Sequence, residues 1–66
     1  MEMTPVISSA IDAIGYDAEK LQMAIKFKQG DAYIFCRVPE AIYLRLMSAG
    51  SKGRFYDNFI KDRYKC

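Results

Sequence analysis

The chain has 66 residues, of which 52% are hydrophobic, and its formal net charge is +2. A chain of this length buries only about 60% of the surface that its unfolded form exposes, so it can form one small domain and no more. The hydrophobic content excludes a disordered chain. The low net charge excludes a strongly basic nucleic-acid clamp, although it permits a local basic patch.

The N-terminus and the cysteines predict a cytoplasmic protein that is not associated with a membrane. The first five residues contain neither the basic nor the apolar region of a secretory signal. No later run approaches the roughly 18 apolar residues of a membrane span. Cys36, in a predicted strand, and Cys66, at the last position, do not resemble the disulfide framework of a small secreted scaffold, so two free thiols are expected.

Hydrophobic periodicity predicts three strands, at about residues 8–16, 20–28 and 32–37. The first strand has uneven apolar spacing around Gly15, which indicates a bulge near its end. The other two alternate, and their inward side chains are predicted to be Met23, Ile25, Phe27, Tyr33 and Phe35. Because the connections are short and polar, the strands should form an antiparallel meander.

Two short helices are predicted after the strands, at about residues 39–49 and 52–64. Pro39 suits the first helical position, where its missing N–H would have no partner. Gly50 is expected to end the first helix in the left-handed conformation, and Ser51 to cap the second. Two helices on one face of a three-stranded sheet make a single α+β domain over the whole chain.

Three segments, in this order and spacing, carry a family resemblance. They are the hairpin Phe27-Lys28-Gln29-Gly30-Asp31-Ala32-Tyr33, the helix start Val38-Pro39, and Ser51-x-Gly53-x-Phe55-Tyr56-Asp57. Together they resemble the KTSC domain, a small module named for the C-terminus of some lysyl-tRNA synthetases. That family has no established activity, so the resemblance implies a fold and suggests RNA binding. The family's central Tyr-x-Tyr stands here as Tyr33-Ile34-Phe35, without the second hydroxyl.

The residue types argue against catalysis. The chain has no His, and no Ser or Cys has an activating partner that is evident in the sequence. Two cysteines without His cannot complete a zinc site. Gly30, Gly50 and Gly53 are too far apart to form a phosphate loop. We therefore expect no enzyme activity, no metal and no cofactor.

A basic ridge is predicted on the last helix. Spacings of four, three and four residues place Arg54, Asn58, Lys61 and Lys65 on one outward line, which Lys52 precedes. Such a ridge can follow a phosphate backbone, with Asn58 available for a hydrogen bond to a phosphate or a base. The alternative is an ordinary solvent-facing row of lysines.

Apolar residues at positions that should face solvent predict an interface. They are Ile34, Cys36, Leu44, Phe55 and Phe59. Because a core this small has little stability to spare, self-association is a common supplement. A homodimer or larger homo-oligomer is expected around Ile34, with Leu44 at its rim.

Three functions stay open on these grounds. The first is a module that binds RNA weakly through the basic ridge, which a strong salt dependence would identify. The second is a protein-interaction or inhibitor protein of the kind that phages and mobile elements encode, which a pull-down would identify. The third is a homo-oligomer that sequesters a nucleotide-like ligand in a shared pocket.

Overall fold

Four antiparallel strands, two short α-helices and a π-helical turn make up the computed structural model, which describes residues 1–66. The strands form one sheet in the order β1-β2-β3-β4: β1 Met3–Pro5, β2 Ile11–Asp17, β3 Gln22–Phe27 and β4 Ala32–Phe35. The helical elements follow as α1 Glu40–Ser48, α2 Lys52–Phe55 and the π-helical turn Tyr56–Ile60. The α+β class is confirmed, but the sheet has four strands instead of the predicted three.

The additional strand, β1, lies at one edge of the sheet and pairs with β2. All three of its residues are exposed, so it has no alternation that periodicity could detect. Its proline is compatible with an edge strand, since an edge leaves some N–H groups unpaired in any case. Periodicity therefore could not have predicted β1.

Gly15 makes room for β1 and does not form the predicted bulge. A Cβ on Gly15 would lie 2.7 Å from the carbonyl oxygen of Glu2 and 2.8 Å from the sulfur of Met3, closer than side chains tolerate. The register of β2 against β3 is irregular between Ile11 and Ala13, at the start of the strand. The bulge prediction was therefore right for β2 and wrong in its position.

The core lies between one face of the sheet and the helical elements. Leu46 on α1 is fully buried, whereas Leu44, two residues earlier, is 54% exposed, so the amphipathic face of α1 points as predicted. Val38, in the link from β4 to α1, is pinned by its N–H, which donates to the carbonyl of Leu21 (2.8 Å). The buried cluster comprises Ile11, Ile14, Met23, Ile25, Phe35, Val38, Leu46 and Ile60.

The ends of α1 differ from the expectation in detail. The helix begins at Glu40, one residue after Pro39, which is the N-cap. No glycine has a positive φ, so the left-handed stop predicted at Gly50 is wrong. Instead, α1 ends at Ser48, and extended Ala49 donates its N–H to the carbonyl of Leu46 (3.2 Å).

The last helix is shorter than the predicted 52–64. Ser51 caps it as expected, because its hydroxyl oxygen accepts from the N–H of Arg54 (3.4 Å). The chain is α-helical only to Phe55 and then winds into the π-helical turn, in which the N–H of Lys61 donates to the carbonyl of Tyr56 (2.8 Å). None of these helices has the length and apolar content that crossing a membrane requires.

Residues 61–66, here called the C-terminal tail, turn back along the end of β4. Asp62 is left-handed, with a φ of 63°, and redirects the chain after the π-helical turn. The N–H of Cys36 donates to the carbonyl of Tyr64 (2.9 Å). This return brings Cys66 to Cys36, and the two form a disulfide with their Cα atoms 4.9 Å apart. The prediction of two free thiols is therefore wrong.

Candidate functional site

The residues of the predicted basic ridge fall into two groups. The ridge assumed an unbroken helix from residue 52 to 64, but helical structure ends at Ile60. Arg54 and Asn58 are exposed on the helical elements, whereas Lys61 and Lys65 belong to the C-terminal tail. A continuous ridge along one helix is therefore wrong as geometry.

Lys52 is the least available of the predicted cations. Its side chain is half-buried, and its ammonium donates to the carbonyl of Ala49 (3.2 Å), which ties the start of α2 to the end of α1. The ammonium of Lys52 is therefore already engaged in a hydrogen bond within the protein. Of the helical group, Arg54 and Asn58 keep free side chains at the surface.

The structure shows a groove between β4 and the C-terminal tail, here called the β4 groove, with a volume of about 270 Å³. One wall comes from β4 and the π-helical turn, and the other comes from the tail. The first wall consists of Tyr33, Ile34, Phe35 and Tyr56, and the second of Asp62, Lys65 and Cys66. A space of this size suits a single planar ring better than a drug-sized ligand.

Tyr33 is the accessible aromatic side chain of the β4 groove. It was predicted to be a core residue, but it is 54% exposed. It lies on the inward face of β4 beyond the cover of the helices, and its ring makes an edge-on contact with Phe27 at 5.8 Å. Phe35, two residues later, is buried as predicted.

Tyr56 anchors the first wall of the groove. Its ring packs edge-on against Phe27 at 5.1 Å and Phe35 at 5.9 Å, so the aromatic wall is held in place from behind. Partial burial raises the pKa of Tyr56 above its usual 10.0, and the nearby carboxylates of Asp62 and Asp57 act in the same direction. The hydroxyl of Tyr56 is therefore a hydrogen-bond donor at neutral pH.

Lys65 places a positive charge on the tail side of the groove. Its ammonium lies 3.3 Å from the carboxylate of Asp62, and both side chains are largely exposed. An exposed ion pair of this kind is worth at most about 1 kcal/mol, so Lys65 can exchange Asp62 for another anion. The guanidinium of Arg37 donates to the carbonyl of Lys65 (3.4 Å), which adds a second cation next to the tail.

A second cluster, here called the Arg–Phe cluster, consists of Arg45, Phe55 and Phe59. The two rings lie 4.7 Å apart, and the guanidinium sits 5.3 Å and 5.1 Å from their centroids. Phe59 is 39% exposed, so the prediction that these rings are only partly covered is confirmed. Arg45 was not predicted as a site residue. Its contact joins two helical elements that are separated in the chain, and residue spacing within one helix cannot indicate such a contact.

The outer face of the sheet carries an apolar row. Ladder partners share a face, and the register therefore lines up Met3, Gly15, Ala24 and Ile34 across all four strands. Ile34 is 49% exposed, as its predicted outward position requires. Leu44 is 54% exposed on α1, in the helical layer that covers the opposite face of the sheet. Its place at the rim of an Ile34 interface stays a prediction.

Two further expectations concern Cys36 and metal binding. Cys36 is half-buried and bonded to Cys66, so it offers no free thiol to an interface. No three His, Cys, Asp or Glu side chains gather closely enough to hold a metal ion. The absence of a metal and of catalysis stays a prediction.

The KTSC domain family matches residues 7–64, and the chain belongs to this family. A protein of Tsukamurella paurometabola is 40% identical over 63 residues, which cover 96% of this chain and 94% of that protein. A crystal structure of a KTSC domain protein from Yersinia pestis superposes with a TM-score of 0.94 at 41% identity, covering 96% of this chain and 89% of that one. The predicted family is therefore confirmed.

One relative carries the same domain within a much larger protein. A lysine–tRNA ligase of Nostoc punctiforme is 32% identical over 57 residues, which cover 86% of this chain but only 10% of the ligase. This chain is therefore similar to a small part of that enzyme.

Proposed function

We propose that the protein is a small non-enzymatic module that binds single-stranded RNA weakly in the β4 groove. The observation that carries the proposal is the combination of a half-exposed aromatic ring, Tyr33, with a cation, Lys65, across one groove. Proteins that bind single strands pair aromatic stacking with backbone electrostatics in this way. The groove holds about one base.

The charge distribution supports the same proposal. From residue 51 onward the chain has five Lys and Arg against two Asp. Three of these cations, Lys61, Arg63 and Lys65, lie in the C-terminal tail, and Arg37 contacts the tail backbone. If the tail neutralises about three phosphates, log K should fall against log salt with a slope of roughly −2.

The similarity to part of a lysine–tRNA ligase is a further reason to favour RNA. By its name, that enzyme acts on tRNA. A role near RNA is therefore a reasonable proposal for this member of the family, which we expect to act in the cytoplasm.

The proposal can be tested by fluorescence anisotropy with a labelled single-stranded RNA of mixed sequence. Tyr33→Ala should weaken binding by about 1–3 kcal/mol, or roughly 5- to 150-fold in Kd, since it removes one stacking ring. Lys65→Ala should reduce the salt slope by about 0.7. Lys20→Ala, which removes the same charge from the exposed turn between β2 and β3, is the matched control and should change neither value.

Three results would redirect or reject this proposal. Absence of binding at low salt rejects it. If Arg54→Ala weakens binding while Tyr33→Ala does not, the helical cations form the site instead. If a free mononucleotide competes as well as the RNA does, the groove serves a nucleotide-like ligand, which is the remaining small-molecule candidate.

A protein partner is the second candidate, and the Arg–Phe cluster favours it. Arg and aromatic side chains that pack together at a surface are typical of interface hot spots. Leu44, which precedes Arg45 on α1, is a further exposed apolar side chain of that helix. A pull-down with the unmodified chain and with Phe59→Ala would test an interaction or inhibitor role of the phage type. A partner that binds the Arg–Phe cluster should be captured by the unmodified chain and not by Phe59→Ala.

A further inference from the structure

The two walls of the β4 groove are attached to the protein in different ways. The wall from β4 and Tyr56 belongs to the sheet and the core, because Phe35 is part of the buried cluster and Tyr56 packs against it. The other wall is the C-terminal tail, which contributes Asp62, Lys65 and Cys66. The groove is complete only while the tail lies against β4.

Few contacts other than the disulfide hold the tail. One backbone hydrogen bond joins it to Cys36, and one long hydrogen bond of 3.4 Å joins Lys65 to Arg37. At the base of the tail the N–H of Arg63 donates to the carbonyl of Ile60 (3.0 Å), and at its end the sulfur of Cys66 lies 3.5 Å from the carbonyl oxygen of Ile34. The Asp62–Lys65 ion pair lies within the tail and does not connect it to the sheet. Tyr64 is the only tail side chain that packs against the core, and it is half-buried.

The core does not depend on the tail. All eight residues of the buried cluster lie between Ile11 and Ile60, before the tail begins. The tail also holds Asp62 in the left-handed conformation, which Asp tolerates better than most residues other than glycine but which extended backbone avoids. Loss of the Cys36–Cys66 bond should therefore free the tail and leave the domain folded.

We infer that the Cys36–Cys66 disulfide is a redox-controlled tether that decides whether the β4 groove has its second wall. In the oxidised protein the tail is fixed, and Lys65 and Tyr33 line the same groove. In the reduced protein the tail leaves β4, and the groove opens to solvent on that side. Only the last step, the effect on RNA, rests on the proposed function.

The chemistry requires a dithiol reductant. Cys66 is exposed and Cys36 half-buried, so an external thiolate reaches the sulfur of Cys66 first. Attack there breaks the S–S bond, and the sulfur of Cys36 leaves as a thiolate that takes up a proton. The second thiol of the reductant then displaces Cys66 from the mixed disulfide. Two electrons and two protons have passed to the protein, and the reductant has become a disulfide.

Amide hydrogen exchange tests the tether directly. Oxidised protein is compared with protein reduced by dithiothreitol and with Cys66→Ser, which should resemble the reduced form with or without dithiothreitol. Protection of the Cys36 amide should fall by about tenfold or more on reduction, as expected for a local opening. The amide of Ile25, in the middle of β3, should keep its protection and serves as the internal control.

Two structural outcomes would overturn the inference. If the Cys36 amide stays equally protected after reduction, Tyr64 holds the tail and the disulfide is not a switch. If Cys36 and Ile25 lose protection together, the disulfide supports the whole fold and does not act locally.

Binding of the labelled RNA to the same samples tests the functional step. Reduction should weaken it by at least as much as Lys65→Ala does in the oxidised protein, and Cys66→Ser should abolish the redox dependence. If the tail opens on reduction but the reduced protein binds the RNA as tightly as the oxidised protein does, redox control of the groove is refuted. If even the oxidised protein binds no RNA, the proposed function fails, but the exchange experiment still decides whether the disulfide is a tether.

Discussion

Gly15→Ala should weaken the attachment of β1 to the sheet. The added Cβ would meet the carbonyl oxygen of Glu2 at 2.7 Å and the sulfur of Met3 at 2.8 Å, whereas ordinary contacts begin at 3.4 Å. The Met3 side chain can rotate away, but the Glu2 carbonyl belongs to the backbone. β1 must therefore move back by about 0.7 Å, the difference between 3.4 and 2.7 Å, or detach.

The expected cost follows from two opposing terms. Overpacking of this kind costs about 1–3 kcal/mol. Replacing glycine in a strand by alanine returns about 0.5–1 kcal/mol, because the unfolded chain loses flexibility. The difference between these terms spans about 0–2.5 kcal/mol. Because the 2.7 Å contact is with a backbone atom, we expect the upper part of that range, a fall of about 1–2 kcal/mol in the free energy of unfolding. That is a large share of the roughly 3–5 kcal/mol that a core of this size supplies.

Urea denaturation of Gly15→Ala and of Gly30→Ala measures the effect. Gly30 is the matched control, since nothing lies within 4 Å of its Cβ position, and its stability should change by no more than about 0.5 kcal/mol. In a chain that begins at Val6 the clashing atoms are absent, and Gly15→Ala should then cost nothing. A full-length Gly15→Ala protein that is as stable as the unmodified chain, with β1 amides equally protected from exchange, would refute the reasoning.

Three other predictions concern the core, the tyrosines and assembly. Leu46→Ala should lower the unfolding free energy by about 2–5 kcal/mol, whereas Leu44→Ala should change it by less than about 0.5 kcal/mol in the same urea titration. Burial above all raises the pKa of Tyr16 and of Tyr56 above 10.0. The folded state holds these protons more tightly than the unfolded state, so stability should be complete below about pH 10 and decline as pH rises through the raised values. Tyr16→Phe should make this decline shallower. Ile34→Asp should dissociate a homo-oligomer built on the outer face of the sheet. A sedimentation experiment that finds the unmodified chain to be monomeric would refute the predicted assembly.

The central part of the fold could be predicted because its signals are local. In the sequence of β3, Met23, Ile25 and Phe27 alternate with Ala24 and Lys26, and Ser51 caps α2 with its own hydroxyl. Each of these features needs only a few neighbouring residues, so composition and spacing contain the information. The resemblance to the KTSC domain added the order of the elements, and the family match over residues 7–64 agrees with it.

The missed features depend on residues that are far apart in the chain. β1 is three exposed residues that form a strand by pairing with β2 over the surface of Gly15. The disulfide joins residues separated by 30 positions, and no spacing rule predicts it. Tyr33 sits on the inward face as predicted, but whether helices cover that end of β4 is decided by tertiary packing.

The early end of the last helix gives the candidate site its geometry. If the α-helix had continued from Phe55 to residue 64, it would have carried Lys61 and Lys65 along its own axis at about 1.5 Å per residue. The π-helical turn and left-handed Asp62 instead direct the tail back to β4. π-Helical turns are rare and are frequently found at functional sites. The tail returns to β4 because the α-helix ends early, and this return also forms the β4 groove. The candidate site therefore lies at β4 and not along a helical ridge.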